Sequence, residues 1–119
     1  MITVMVLIRK RPDLTPAQFR DHYENRHAPL IDRLLPYYQA YRRNYLETPV
    51  RPGQADVGYD VVTELEFADE ETYDAWQDAL RRPEVIAEIR ADEAHFLAAG
   101  ETRMWRVDRR ESVYGTGPA

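Results

Sequence analysis

The feature that most constrains this chain is a well-signalled helix that its own sequence then breaks, between Leu14 and Leu30. Thr15 is a good N-cap, Pro16 suits the first helical position, and Gln18 can close a capping box onto Thr15. Phe19, Tyr23, Leu30 and Leu34 then recur at helical steps and form one inward face. At about 100° per residue, Arg26 and His27 straddle that face and His22 lies toward its edge. Pro29 removes a backbone donor, so the helix kinks or restarts just after His27. An inward imidazole beside freed backbone groups has two readings. It can bond a carbonyl exposed by Pro29, or it can move a proton, because its unperturbed pKa lies near neutrality.

The rest of the chain supplies a sheet for that helix. Ile2 to Arg9 reads as a buried strand, β-branched and apolar. Arg9-Lys10-Arg11-Pro12-Asp13 is a solvated loop, and the broken helix ends near Leu35-Pro36. Tyr37 to Thr48 alternates as a second strand at a sheet edge, with Tyr41, Arg43 and Tyr45 on one face and Arg42 and Asn44 on the other. Pro49 to Gly58 is the one long loop, and Tyr59 to Ala68 is a third strand. Asp69 caps a helix through about Leu80 that turns Tyr73 and Trp76 inward. Pro83 opens another, with Val85, Ile89 and Phe96 on its apolar face and Asp92 among them, expected to run to about Ala99 and stop at Gly100. Glu101 to Arg109 closes the sheet. Residues 1–110 are expected to form one domain and 111–119 a flexible tail that is loosely held or wraps a partner.

Composition narrows the class. The chain of 119 residues suits one domain with a two-layer core. No apolar run approaches a membrane span, and Ile2 to Ile8 lacks the flanks of a signal peptide, so a soluble cytoplasmic protein is expected. With no cysteine, disulfides, thiolate catalysis and thiolate-bound metals are excluded. A net charge of −5 disfavours nucleic acid as a partner. His22 and His27 are turned about 140° apart on a regular helix, a poor spacing for a metal. Phosphate-loop, nucleophile-elbow and nucleotide fingerprints are absent, so neither metal nor cofactor is expected.

The candidate site residues follow. Asp92, a carboxylate on an apolar helix face, is costly there without a partner, which Arg26 or His27 can provide. Tyr23, Tyr41 and Tyr45 can donate to a substrate carbonyl or serve as packed walls. Trp76 is either core or a stacking surface. His22 and His95 are expected at the surface. The catalytic set is thus His27, Asp92 and Tyr45, with Tyr23, Arg26, Tyr41, Trp76 and Phe96 as substrate contacts.

The stretch Leu14, Thr15, Phe19, Tyr23, His27, Pro29 and Leu30 resembles the opening helix of the EthD family, with its His-x-Pro-Leu ending. The likeness continues more weakly through Tyr41, Arg42, Asn44, Asp60, Leu65, Phe67, Asp92 and Phe96. It implies an α+β fold, a ferredoxin-like βαββαβ domain with an antiparallel sheet, paired sheet-on-sheet into a homodimeric α/β barrel. It implies a pocket for an oxygenated aromatic or polyketide-like small molecule and limits the chemistry without choosing it; with His27 to move a proton, the leading expectation is cofactor-free proton transfer, a dehydration, cyclisation or isomerisation. Two alternatives stand beside it: a cofactor-independent monooxygenase of the same fold, and a non-catalytic ligand-binding or accessory protein.

Overall fold

The computed structural model describes residues 1–115. Its elements are β1 (Ile2–Ile8), α1 (Pro16–His22), a π-turn (Tyr23–His27), α2 (Ala28–Leu34), β2 (Ala40–Tyr45), β3 (Val61–Phe67), α3 (Glu70–Leu80), α4 (Pro83–Glu93) and β4 (Arg103–Val107). The strands form one antiparallel sheet in the order β2-β3-β1-β4, the α+β ferredoxin-like arrangement.

Register decides which side chains meet the helices. Val4 stands opposite Leu65 and Arg106, and Val6 opposite Thr63 and Met104. Val4, Val6, Thr63 and Leu65 are buried beneath Phe19, Tyr23, Ile31, Trp76, Val85 and Ile89. The other face of the sheet carries Met5 paired with Trp105 and Leu7 paired with Val62, and among the described residues no helix covers it. Trp105 is 65% exposed there. On the same face Glu66 is buried between Arg42 and Arg109, which bond its Oε1 at 2.5 and 2.7 Å.

The capping box at Thr15 forms as expected. The Thr15 hydroxyl accepts from the Gln18 amide at 3.1 Å, and the Gln18 side chain accepts from the Thr15 amide at 2.9 Å. Pro29 acts one turn upstream of itself. It has no N–H for the carbonyl four residues before it, and the helix answers with a wider turn in which the Ala28 N–H reaches back to Tyr23 O. The regular 100° step fails across that turn. Tyr23 and His27 are both buried as a result, and Arg26 points into solvent.

Two expected boundaries move. α4 stops at Glu93 rather than near Ala99. The following backbone pairs with the loop after β1 instead: Arg11 N–H bonds Phe96 O at 2.8 Å, and Ala98 N–H bonds Arg9 O at 3.0 Å. Ending the helix there lets Phe96 and Leu97, neighbours in sequence, both bury. Gly100, with φ +73°, serves the turn into β4 and not the end of α4. Residues 36–37 form a turn and residue 39 a bend before β2, which is shorter than the alternation suggests. Of the expected tail, residues 111–115 have no regular structure and 116–119 lie outside the described residues. Among the described residues, no helix is long and apolar enough to cross a membrane.

Candidate active site

His27 is 6% exposed and sits on the π-turn, facing α4. Its Nδ1 lies 2.8 Å from Asp92 Oδ2, and His22 Nε2 lies 3.0 Å from Asp92 Oδ1. A carboxylate can only accept, so each of these ring nitrogens carries the proton of its bond. The tautomer this fixes at His27 leaves the Nε2 lone pair free. Phe96 supports both imidazoles, with ring centroids 4.6 Å from His22 and 4.8 Å from His27. Tyr23 presents its edge to His27 at 5.3 Å. Burial holds the His27 pKa below its ordinary 6.5; the pull of Asp92 in the opposite direction only partly offsets it, and His22 lowers it further. At neutral pH the imidazole is uncharged and basic at Nε2.

His27 opens onto a cavity of about 80 Å³ between sheet and helices. Its polar wall is a chain of hydroxyls. Tyr41 donates to the Tyr23 oxygen at 3.1 Å, and Tyr23 and Thr63 are bonded at 2.8 Å. Either oxygen of the Tyr23–Thr63 bond can be its donor; in the arrangement where Tyr23 donates, the Thr63 proton is left for whatever enters the cavity. Burial raises the pKa of both tyrosines, so both stay protonated donors. Trp76 lines the apolar wall, its Nε1 bonded to the Tyr38 hydroxyl at 2.9 Å.

The structure gathers His27, Tyr23, Tyr41 and Trp76 around this cavity and sets Asp92 directly behind the imidazole. Three other candidates stand elsewhere. The Tyr45 hydroxyl bonds Glu24 Oε2 at 2.6 Å, beside the Arg43–Glu24 ion pair, and does not line the cavity. Arg26 is exposed because the wide turn rotates it outward, so Asp92 is partnered by His27 and His22 instead. Phe96 is fully buried beneath the imidazoles and reaches no cavity surface. Sequence reasoning placed His22 at the surface; it is half-buried, at the end of α1, where its ring bonds Asp92. Thr63 and Glu93 also line the cavity. Both were findable: Thr63 shares the inward register of β3, and Glu93 lies four residues after Ile89 and three before Phe96 on the apolar face. Among the described residues, no group of three or more His, Asp or Glu side chains is placed to hold a metal ion.

A helix carrying an inward histidine just before Pro29, under an antiparallel sheet of this order, is matched in sequence by the EthD domain over residues 11–100. The chain belongs to the EthD family. The fold agrees across solved structures. An EthD family protein from Bacillus halodurans superposes with a TM-score of 0.62 at 23% identity, covering 92% of this chain and 100% of that one. At3g17210 from Arabidopsis thaliana gives 0.64 at 11% identity, over 96% and 100% of the two chains. A dimeric protein with a ferredoxin-like fold from Bacteroides fragilis gives 0.57 at 11% identity, over 91% and 95%. These likenesses concern the fold. No curated protein matches the chain in sequence.

Proposed function

We propose that this EthD protein is a small-molecule enzyme in which His27 removes a proton next to a carbonyl group, in a dehydration, cyclisation or isomerisation. The observation that carries this reading is the Asp92–His27 pair, which leaves Nε2 of an uncharged imidazole free at a cavity that the Tyr23, Tyr41 and Thr63 hydroxyls also line. Asp92 holds the ring and its tautomer, and His27 takes the proton. Thr63, at the end of the Tyr41–Tyr23 chain, donates to the enolate oxygen that develops. Losing such a donor typically costs about 2.7–4 kcal/mol of transition-state stabilisation.

Size refines the substrate. A cavity of about 150 Å³ binds benzene, and the space in front of His27 is smaller, about 80 Å³. The space suits the oxygenated end of a substrate. The bulk of an aromatic or polyketide-like substrate would lie in the open groove of about 970 Å³ that borders the cavity at Glu93, Leu97 and Thr102. We further propose that the uncovered sheet face, with Met5, Leu7, Val62 and Trp105, pairs with a second copy of the chain, and that residues after Arg110 lie outside the folded domain.

The test is solvent-deuterium exchange at the α-carbon of β-hydroxyethyl methyl ketone, a probe that carries both the carbonyl and the β-hydroxyl, with oxygen present and removed. Exchange catalysed equally in both conditions supports proton transfer. Conversion that requires oxygen favours a monooxygenase, and absence of any conversion leaves the accessory role.

A further inference from the structure

The cavity in front of His27 has a second ionisable wall. Glu93, the last residue of α4, lines it together with His27, and among the described residues its carboxyl makes no hydrogen bond. Glu93 follows Asp92 directly, yet one helical step of about 100° separates their directions. Asp92 stands behind the imidazole, and Glu93 faces the space in front of it. Glu93 also borders the outer groove, together with Leu97 and Thr102. Its carboxyl therefore stands where a proton can come from bulk water, which the 6% exposed His27 does not meet directly.

Its surroundings suit a neutral acid. The cavity neighbours contributed by α2, α3, α4 and β4 are apolar, namely Ile31, Leu80, Ile89 and Met104. The charged groups near it are Arg90 and Asp92 on its own helix, and Arg11 and Glu101 across the groove; His27 faces it through the cavity. Burial raises its pKa above the ordinary 4.5, Arg90 opposes that, and Asp92 adds to it.

We propose that Glu93 is the general acid of this site, giving a proton to the leaving hydroxyl of a β-hydroxy carbonyl substrate while His27 removes the α-proton. The proposal rests on the reading of His27 as the base. The α C–H bond breaks and its proton goes to His27 Nε2. The electron pair forms the C=C bond, the β C–O bond breaks, and the departing oxygen takes the Glu93 proton to leave as water. His27 then returns one proton to solvent and Glu93 regains one through the groove, so the cycle closes without an oxidant or reductant. The reaction class is thereby narrowed from proton transfer in general to dehydration.

β-Hydroxyethyl methyl ketone separates the two roles, because α-exchange needs only the base and formation of methyl vinyl ketone needs both groups. Glu93→Gln is expected to lower the ratio of elimination to exchange by about a hundredfold or more, and to remove the alkaline limb of the elimination profile. An unchanged ratio overturns the assignment of Glu93 and leaves His27 standing. A wild type that exchanges without eliminating overturns it as well, whereas exchange retained by His27→Gln, or a wild type inert to both, overturns the base reading beneath it. A carbon-13 titration of the Glu93 carboxyl needs no substrate. The expected curve has a midpoint above 4.5 and a second inflection, in step with His27, that disappears in His27→Gln. A single inflection at or below that value overturns the placement.

Discussion

Asp92 and His27 are joined by a 2.8 Å hydrogen bond across 65 residues of sequence, between the end of α4 and the π-turn. This bond fixes which imidazole nitrogen is free, and it raises the His27 pKa against the larger effect of burial. Asp92→Asn should therefore lower the His27 titration midpoint further, because the charge that favours the imidazolium is gone. Proton NMR of the imidazole Cε1–H reads it directly. A midpoint that stays or rises would show that Asp92 does not act on His27. Activity should fall while the imidazole remains in place, since the amide can hold the wrong tautomer.

Burial of His27 also gives stability a direction in pH. In the unfolded chain the imidazole takes its proton near 6.5, and in the fold only at lower pH. Protonation thus favours the unfolded chain. The stability His27 contributes is complete above about 6.5 and is lost as pH falls from there toward the folded pKa. Glu24 and Glu66 have lowered pKa values, so their contributions persist until pH falls below about 4.5. Thermal melts between pH values of about 7 and 5 should show a decline in wild type that flattens in His27→Gln. Equal slopes in the two proteins would contradict it.

The hydroxyl chain predicts unequal costs for two similar substitutions. Tyr41→Phe removes only the first donor, and Tyr23 still bonds Thr63. The loss should be about 0.5–1.5 kcal/mol, that of one hydrogen bond. Tyr23→Phe removes the middle of the chain and leaves the Tyr41 hydroxyl without its acceptor and Thr63 without its partner, costing about 1–3 kcal/mol. Urea denaturation with a common m-value measures both. The reverse order would show that the chain runs differently.

How far the sequence could be read depended on how regular the backbone was. β1, β3 and the capping box at Thr15 were legible because strand alternation and cap chemistry are local. The restart at Pro29 was legible too, but not its form. A wide turn shifts the residues within and after it relative to those before it, which left Arg26 outward and brought His27 and His22 onto one carboxylate. Counting at a fixed angle put His22 at the edge of the inward face but did not give the outward position of Arg26. Glu93 was legible by its spacing from Ile89 and Phe96, but its place at a cavity edge was not, because the expected helix ran on to Ala99. Tyr45 alternates with Tyr41 on the same strand face, yet Glu24 captures its hydroxyl, a contact between distant segments that no periodicity reveals.

The uncovered sheet face should make the chain a dimer. Light scattering is expected to give twice the 14.0 kDa mass of one chain at micromolar concentration, with Trp105→Lys shifting the protein toward monomer. Ending the chain after Arg110 should leave the melting temperature and mass per assembly nearly unchanged. A monomeric wild type would remove the sheet-on-sheet arrangement, and dissociation on truncation would place the tail at the interface.

The most direct measurement compares wild type and His27→Gln on one preparation each, following α-deuterium uptake by β-hydroxyethyl methyl ketone per folded molecule alongside the melting temperature. Glutamine keeps a polar group beside Asp92 but does not titrate near neutrality. Exchange should fall about a hundredfold to ten-thousandfold, the contribution of a positioned base, while the protein stays folded. Near-wild-type exchange from His27→Gln, with or without a lowered melting temperature, would contradict the assignment of His27 as the base.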